Sequence, residues 1–120
     1  MTEILRLLWL LAVGHVVSDF FLQTEFMAHA KCPGCEEPEC EAVDRTKCGP
    51  WWLWMGAHGM LNGWVTSLVL GVWWVGPIEA AHHALIDWGK CMGHVGFWAD
   101  QAHHAYMKLL LLYITVYVIH

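Results

Sequence analysis

Cys48-Gly-Pro-Trp-Trp-Leu-Trp-Met-Gly-Ala-His-Gly-Met-Leu-Asn-Gly-Trp-Val-Thr-Ser-Leu-Val-Leu-Gly-Val-Trp-Trp-Val-Gly-Pro-Ile78 is a run of 31 residues with no Asp, Glu, Lys or Arg. A helix needs about 20 apolar residues to cross the hydrocarbon core of a bilayer, and this run exceeds that. The stretches from Leu7 to Ser18 and from Leu109 to His120 are uncharged as well. Charged residues are only 14% of the chain, against about a quarter in soluble domains. An integral membrane protein is the reading these features favour, with a tightly packed soluble helical core as the competitor. The tryptophan pairs Trp51-Trp52 and Trp73-Trp74 suit an aromatic belt at a membrane interface. A net charge of −5 without a basic stripe argues against nucleic acid as a partner. The lipid bilayer is the expected partner.

Outward from that run, the helix signals divide the chain. Thr2 is a plausible N-cap for a first helix from Glu3 to about His29. Ala28-His29-Ala30 imitates a signal-peptidase site, but Asp19, Gln23 and Glu25 make the preceding stretch too polar for a cleavage region. Helix one is expected to be retained. Residues 31–50 are acidic and punctuated by Pro and Gly, and read as a loop. Pro50 opens a second helix, Trp51 to about Val75, and Gly76-Pro77 reads as a turn. A third helix is predicted from Ile78 to about Lys90, with a last one from about Val95 to the C-terminus. The expected fold is an all-α integral membrane bundle of four helices, one domain over residues 1–120, with a Cys-rich loop between helices one and two. Helix three would reach only about 20 Å against a core of about 30 Å. Gly56, Gly63 and Gly71 would permit close contact in a homo-oligomer or a larger membrane complex.

Three of the four aspartates have a histidine four residues away: His15/Asp19, His83/Asp87 and Asp100/His104. Chance would give one aspartate such a neighbour about 15% of the time, by the helical-neighbour rule. Positions four apart share one helix face, and charged groups inside a bilayer survive where they pair or serve function. With alternating helix direction, Asp19, Gln23, His58, Asp87, Asp100 and His104 all fall within roughly 5 to 20 Å of the loop end. Agreement in depth is what one shared site requires. Neutral imidazole and carboxylate are ligands for zinc, manganese or iron. The metal-ligating candidates are therefore His15, Asp19, His58, His83, Asp87, Asp100 and His104, with Asp19, His83, Asp87 and Asp100 the candidate catalytic residues. A divalent metal there, zinc foremost, would activate water for hydrolysis. The competing reading makes the pairs hydrogen-bonded struts that fix helix packing.

Cys32-Pro-Gly-Cys35 followed by Cys40 and Cys48 offers four thiolates in a short polar span. That suits a structural zinc, or two disulfides if the loop is extracytoplasmic, or free thiols. Lys31, Arg45, Lys47 and Lys90 lie on the loop side against Arg6 on the other, which points to a cytoplasmic loop and so toward zinc. Cys91 is expected to be unpaired.

His15-Val-Val-Ser-Asp19-Phe-Phe-Leu-Gln23-Thr24, Lys31, His58, His83-Ala-Leu-Ile-Asp87-Trp-Gly-Lys90 and Asp100-Gln-Ala-His-His104 together resemble a small bacterial and phage membrane family, domain-of-unknown-function 3307. The resemblance covers nearly the whole chain, apart from the Cys-rich insertion between Lys31 and Trp51, and Asn62 stands where another polar residue is expected. It implies helical membrane topology, in a bacterial inner membrane, and no particular activity. Two function classes follow from the residues. One is a metal-dependent membrane hydrolase of a lipid-linked or phosphate-containing substrate. The other is a non-enzymatic assembly subunit. A transporter of protons or metal ions is a weaker third, because four spans leave little room for alternating access.

Overall fold

A computed structural model of the chain describes residues 2–34 and 49–119. Five α-helices and two π-helical turns, with no strand among the described residues, make up the fold. Helix α1, Thr2–Val16, runs into a π-helical turn, Val17–Phe21. The short helix α2 is Glu25–Ala30, α3 is Trp51–Leu70 and α4 is Val75–Cys91. Helix α5, Phe97–Ile114, ends in a second π-helical turn, Thr115–Ile119.

The first helix is not continuous to His29. Thr24 is extended (ψ 157°) and its side chain accepts a hydrogen bond from the Met27 amide at 3.2 Å, so it caps a new helix. The apolar pattern runs on through this break, which hides it from periodicity. Just before it, the Leu22 amide bonds to the Val17 carbonyl at 2.9 Å, five residues back. The extra residue in that turn rotates Ser18 and Asp19 inward, and both are buried.

Pro50 is the extended N-cap of α3, as expected. At its other end Gly71 adopts the left-handed conformation (φ 69°) and its amide closes on the Ser67 carbonyl. The helix therefore stops at Leu70, short of Val75. Gly76-Pro77 is not a turn. Pro77 falls in the first turn of α4, where its missing N–H has no intrahelical partner to lose. At 17 residues α4 is longer than anticipated, about 25 Å.

Helices α3 and α4 cross where side chains are smallest. A Cβ at Gly63 would collide with the Gly76 carbonyl, and one at Gly59 would come within 2.7 Å of the Ala80 carbonyl oxygen. Gly63, expected at an interface between chains, is used inside this one, while Gly56 faces open space and Gly71 terminates a helix.

Burial is inverted relative to a water-soluble fold. Seven apolar residues are buried among those described, Leu11, Leu70, Val75, Leu111 and Leu112 forming one cluster, against thirteen polar or charged ones. Meanwhile Trp9, Phe21, Trp73, Leu85 and Trp98 are exposed. Lys, Glu and Asp are almost never fully buried unless paired. One described helix is long and apolar enough to cross a membrane, Thr2–Phe21.

Candidate metal centre

Each polar side chain reaches the interior by the helical spacing that the sequence displays. On α4 Glu79, His83 and Asp87 stand at four-residue steps, and on α5 Asp100, His104 and Lys108 do the same; all six are buried. His58 and Asn62 face them from α3, and Asp19 from the π turn. The centre is therefore held by four elements, and no local segment could form it alone.

Its tightest part is a triangle. Asp19 Oδ1 lies 3.0 Å from His58 Nε2 and 3.2 Å from His83 Nε2, and the two ring nitrogens are 3.1 Å apart. Asp87 Oδ2 lies behind them, 3.5 Å from His58 Nε2 and 3.7 Å from His83 Nε2. Asn62 fixes part of the proton pattern. Ser18 Oγ donates to its Oδ1 at 2.6 Å, and its Nδ2 faces both the His58 carbonyl and His83 Nε2 at 3.2 Å. In that orientation His83 Nε2 accepts from Asn62 through its single lone pair, which a cation in the triangle would have to take over.

A second part surrounds His104. Its Nε2 is 3.1 Å from Asp100 Oδ1 and 3.5 Å from Asp87 Oδ1. The His83 and His104 rings stack with centroids 3.9 Å apart and planes at 18°. Two lysines supply positive charge: Lys31 pairs with Asp87 and donates to Gln23 Oε1 at 2.6 Å, while Lys90 pairs with Asp100 at 2.7 Å. Deeper along α4 and α5, Glu79 and Lys108 form another buried pair.

Both metal-competent groupings share His83: Asp19/His58/His83 and His83/Asp87/His104. The donor sets differ in fit. A tetrahedral ion with bonds of about 2.0–2.1 Å spaces its ligands about 3.3 Å apart, close to the triangle's 3.0, 3.1 and 3.2 Å. Imidazole lone pairs lie in the ring plane, so the stacked His83 and His104 cannot readily aim at one point. The Asp19/His58/His83 group is the better fit. The Nδ1 atoms of His15, His58, His83 and His104 are buried without a hydrogen-bond partner among the described residues, so these rings make their polar contacts through Nε2.

The structure thus brings Asp19, His58, His83, Asp87, Asp100 and His104 together. His15 is at the edge, 3.9 Å from Asp19 Oδ2 and hydrogen-bonded to Gln101 at 3.1 Å. Of the doublets, His83 and His104 are fully buried, whereas His82 is partly buried and His103 exposed. Lys31, Gln101 and the Glu79–Lys108 pair were not among the expected site residues. Glu79 and Lys108 continue the four-residue alignments on their helices, which is the signal that could have found them; Lys31 stands two four-residue steps beyond Gln23 on the line of His15, Asp19 and Gln23, although the helix is broken at Thr24.

The cysteine expectation needs correction. Cys91, expected unpaired, is disulfide-bonded to Cys32 across 59 residues. Cys32 is thereby removed from a four-thiolate zinc set and from disulfides confined to the loop. Cys35, Cys40 and Cys48 lie outside the described residues. The bond joins Lys31's neighbour to Lys90's neighbour, so it staples both site lysines at the mouth of the centre. No family model, curated protein or solved structure matches the chain.

Proposed function

We propose that this chain is an integral membrane helical bundle that binds one divalent cation between Asp19, His58 and His83 and hydrolyses a lipid-linked or phosphate-containing substrate. The observation that carries the reading is the triangle: two imidazole nitrogens 3.1 Å apart, both against one carboxylate oxygen. That spacing admits an N–H···N hydrogen bond between the two rings, and it equally suits two lone pairs turned on one cation beside the Asp19 carboxylate. Charge supports a single ion. Asp19, Asp87 and Asp100 face Lys31 and Lys90, and His104 lies between two of these carboxylates, so the network carries at most one negative charge. One divalent ion would leave it positive, a sign that suits an anionic substrate. A second ion would add two more positive charges in a poorly solvated interior.

A divalent cation in such a place acidifies bound water and polarises a phosphoryl or carbonyl oxygen. The chain's own groups would do the rest. Asp87 and Asp100, held by Lys31 and Lys90, are the carboxylates positioned to accept a proton, and His104 bridges them. Zinc suits the His/His/Asp donor set.

The membrane reading draws support from the polar interior and apolar exterior, and from the Thr2–Phe21 helix. The likeness to family 3307 remains part of this proposal. For orientation, the basic-residue balance has to be discounted, because Lys31 and Lys90 are neutralised in ion pairs. The Cys32–Cys91 bond favours an oxidising compartment. We therefore place the loop end on the oxidising face of the membrane, against the cytoplasmic placement read from charge counts. Elemental analysis of detergent-purified protein tests the metal reading. About one zinc, manganese or iron per chain is expected, lost in His58→Ala and His83→Ala and kept in Asp44→Asn, a change at the one aspartate without a histidine four residues away. Metal-free protein that stays folded after incubation with each of these ions would leave the assembly-subunit reading standing instead.

A further inference from the structure

We infer that residues 22–32 form a strap across the mouth of the metal centre, which the Cys32–Cys91 bond locks shut and a dithiol reductant opens to cation exchange. This inference rests on the proposed function and assigns a regulation to that same centre.

The triangle has no exposed ligand. Asp19, His58 and His83 are buried, and so are Asp87 and Asp100 around them. A cation therefore enters only if one of the surrounding elements moves. Helices α3 and α4 meet backbone to backbone at Gly59 and Gly63, and α5 is a continuous helix of 18 residues. The strap is slighter. It leaves the π-helical turn at Leu22, forms only the six-residue helix α2, and returns onto α4 through Lys31 and Cys32. Helices shorter than about 12 residues are marginal in isolation, so attachments to the bundle decide where this one lies. Phe26 packs edge-on against Trp54 with ring centroids 5.1 Å apart, Lys31 pairs with Asp87, and Cys32 is bonded to Cys91.

Lys31 is what the strap puts in a cation's way. Its ammonium sits on Asp87, whose Oδ2 is 3.5 Å from His58 Nε2 and 3.7 Å from His83 Nε2. An entering divalent ion meets that positive charge at short range, and the side chain that carries it. Cys32 is the next residue, so the bond fixes Lys31 through its own neighbour. Cys32 and Cys91 are only half-buried, which leaves the bond within reach of a reductant. A thiolate of the dithiol attacks one of the two sulfurs, the S–S bond breaks to a mixed disulfide, and the second thiol of the reductant resolves it. The reductant ends as a disulfide, while Cys32 and Cys91 take up two electrons and two protons as thiols. Lys31 then hangs from Leu22. Lengthening its tether about fivefold, from roughly two residues to roughly ten, loosens closure about tenfold by the loop-closure relation.

The test is exchange of bound zinc for radioactive zinc in detergent-purified protein carrying Cys35→Ser, Cys40→Ser and Cys48→Ser, which leaves only the bonded pair. One sample stays oxidised and the other is treated with dithiothreitol and desalted; zinc content and amide deuterium uptake are read on both. Reduction is expected to speed exchange about tenfold, at unchanged zinc content, and to raise deuterium uptake over residues 24–32. Cys32→Ser/Cys91→Ser should exchange at the reduced rate with or without dithiothreitol, which separates strap opening from zinc capture by freed thiols. Equal exchange and equal strap uptake in the two states would refute the gate. Faster exchange with unchanged strap uptake would place the entry elsewhere and overturn the strap. Zinc released outright, rather than exchanged faster, would make the bond part of the centre's scaffold and overturn the gate as well. Protein without zinc in either state would overturn the centre itself, whereas strap uptake would still read whether the bond locks the strap.

Discussion

Asp87→Asn keeps the side chain's size and removes one charge from a residue that is 2% exposed and paired with Lys31, itself 6% exposed. Removing one partner of a buried pair typically costs about 3–5 kcal/mol. Lys31 keeps its bond to Gln23 Oε1 at 2.6 Å, so the lower end of that range is expected. The cation is affected separately. The carboxylate lies 3.5 Å from His58 Nε2 and 3.7 Å from His83 Nε2, the two proposed imidazole ligands, and a unit-charge interaction at about 4 Å is worth about 4 kcal/mol at an effective dielectric of 20. Metal affinity should fall roughly a thousandfold or more. The double variant Asp87→Asn/Lys31→Met restores the original charge balance and removes the stranded ammonium. Its thermal stability in detergent should recover most of the loss, while its metal content should not return. Thermal unfolding and elemental analysis of the two variants beside Asp44→Asn read both effects. Metal unchanged in Asp87→Asn with stability lost would mean a packing network with no metal role for Asp87. Metal regained in the double variant would mean that net charge, not this carboxylate, governs binding.

Other consequences concern the scaffold. Cys91→Ser opens a cross-link that closes a 59-residue separation, so the oxidised protein should lose about 4 kcal/mol by the loop-entropy relation; equal melting temperatures for wild type and variant without reductant would contradict a bond between Cys32 and Cys91. Gly63→Val drives two methyl groups into the Gly76 backbone at the α3–α4 crossing, and a loss at or above the usual 1–3 kcal/mol for overpacking is expected, whereas Gly56→Val, facing open space, should change little. Thr24→Ala removes the cap on Met27 and should cost about 1 kcal/mol, read as faster amide exchange over residues 25–30. Lys108→Met strands Glu79 in the interior and should destabilise by about 3–5 kcal/mol; Glu79→Gln/Lys108→Met should recover part of that, which a melting curve will show.

How much was legible in advance can be judged residue by residue. Helical class, the polar stripes Glu79/His83/Asp87 and Asp100/His104/Lys108, and the start of α3 at Pro50 are local matters. Spacing of four and the chemistry of Pro depend on neighbours along the chain, so sequence alone reaches them. The break at Thr24 was hidden because one capping hydrogen bond outweighs an apolar pattern that continues through it. Which faces meet was decided by tertiary structure. The approach of Gly59 and Gly63 to Ala80 and Gly76 sets how α3 lies on α4, and with it the 3.1 Å separation of His58 and His83. Stacking of His83 on His104 separates two donor sets that spacing treats alike. Lys31 reaches Asp87 from 56 residues away, and Cys32 reaches Cys91 from 59. No periodicity encodes those pairings, because long-range contacts depend on how the whole chain closes rather than on any local step.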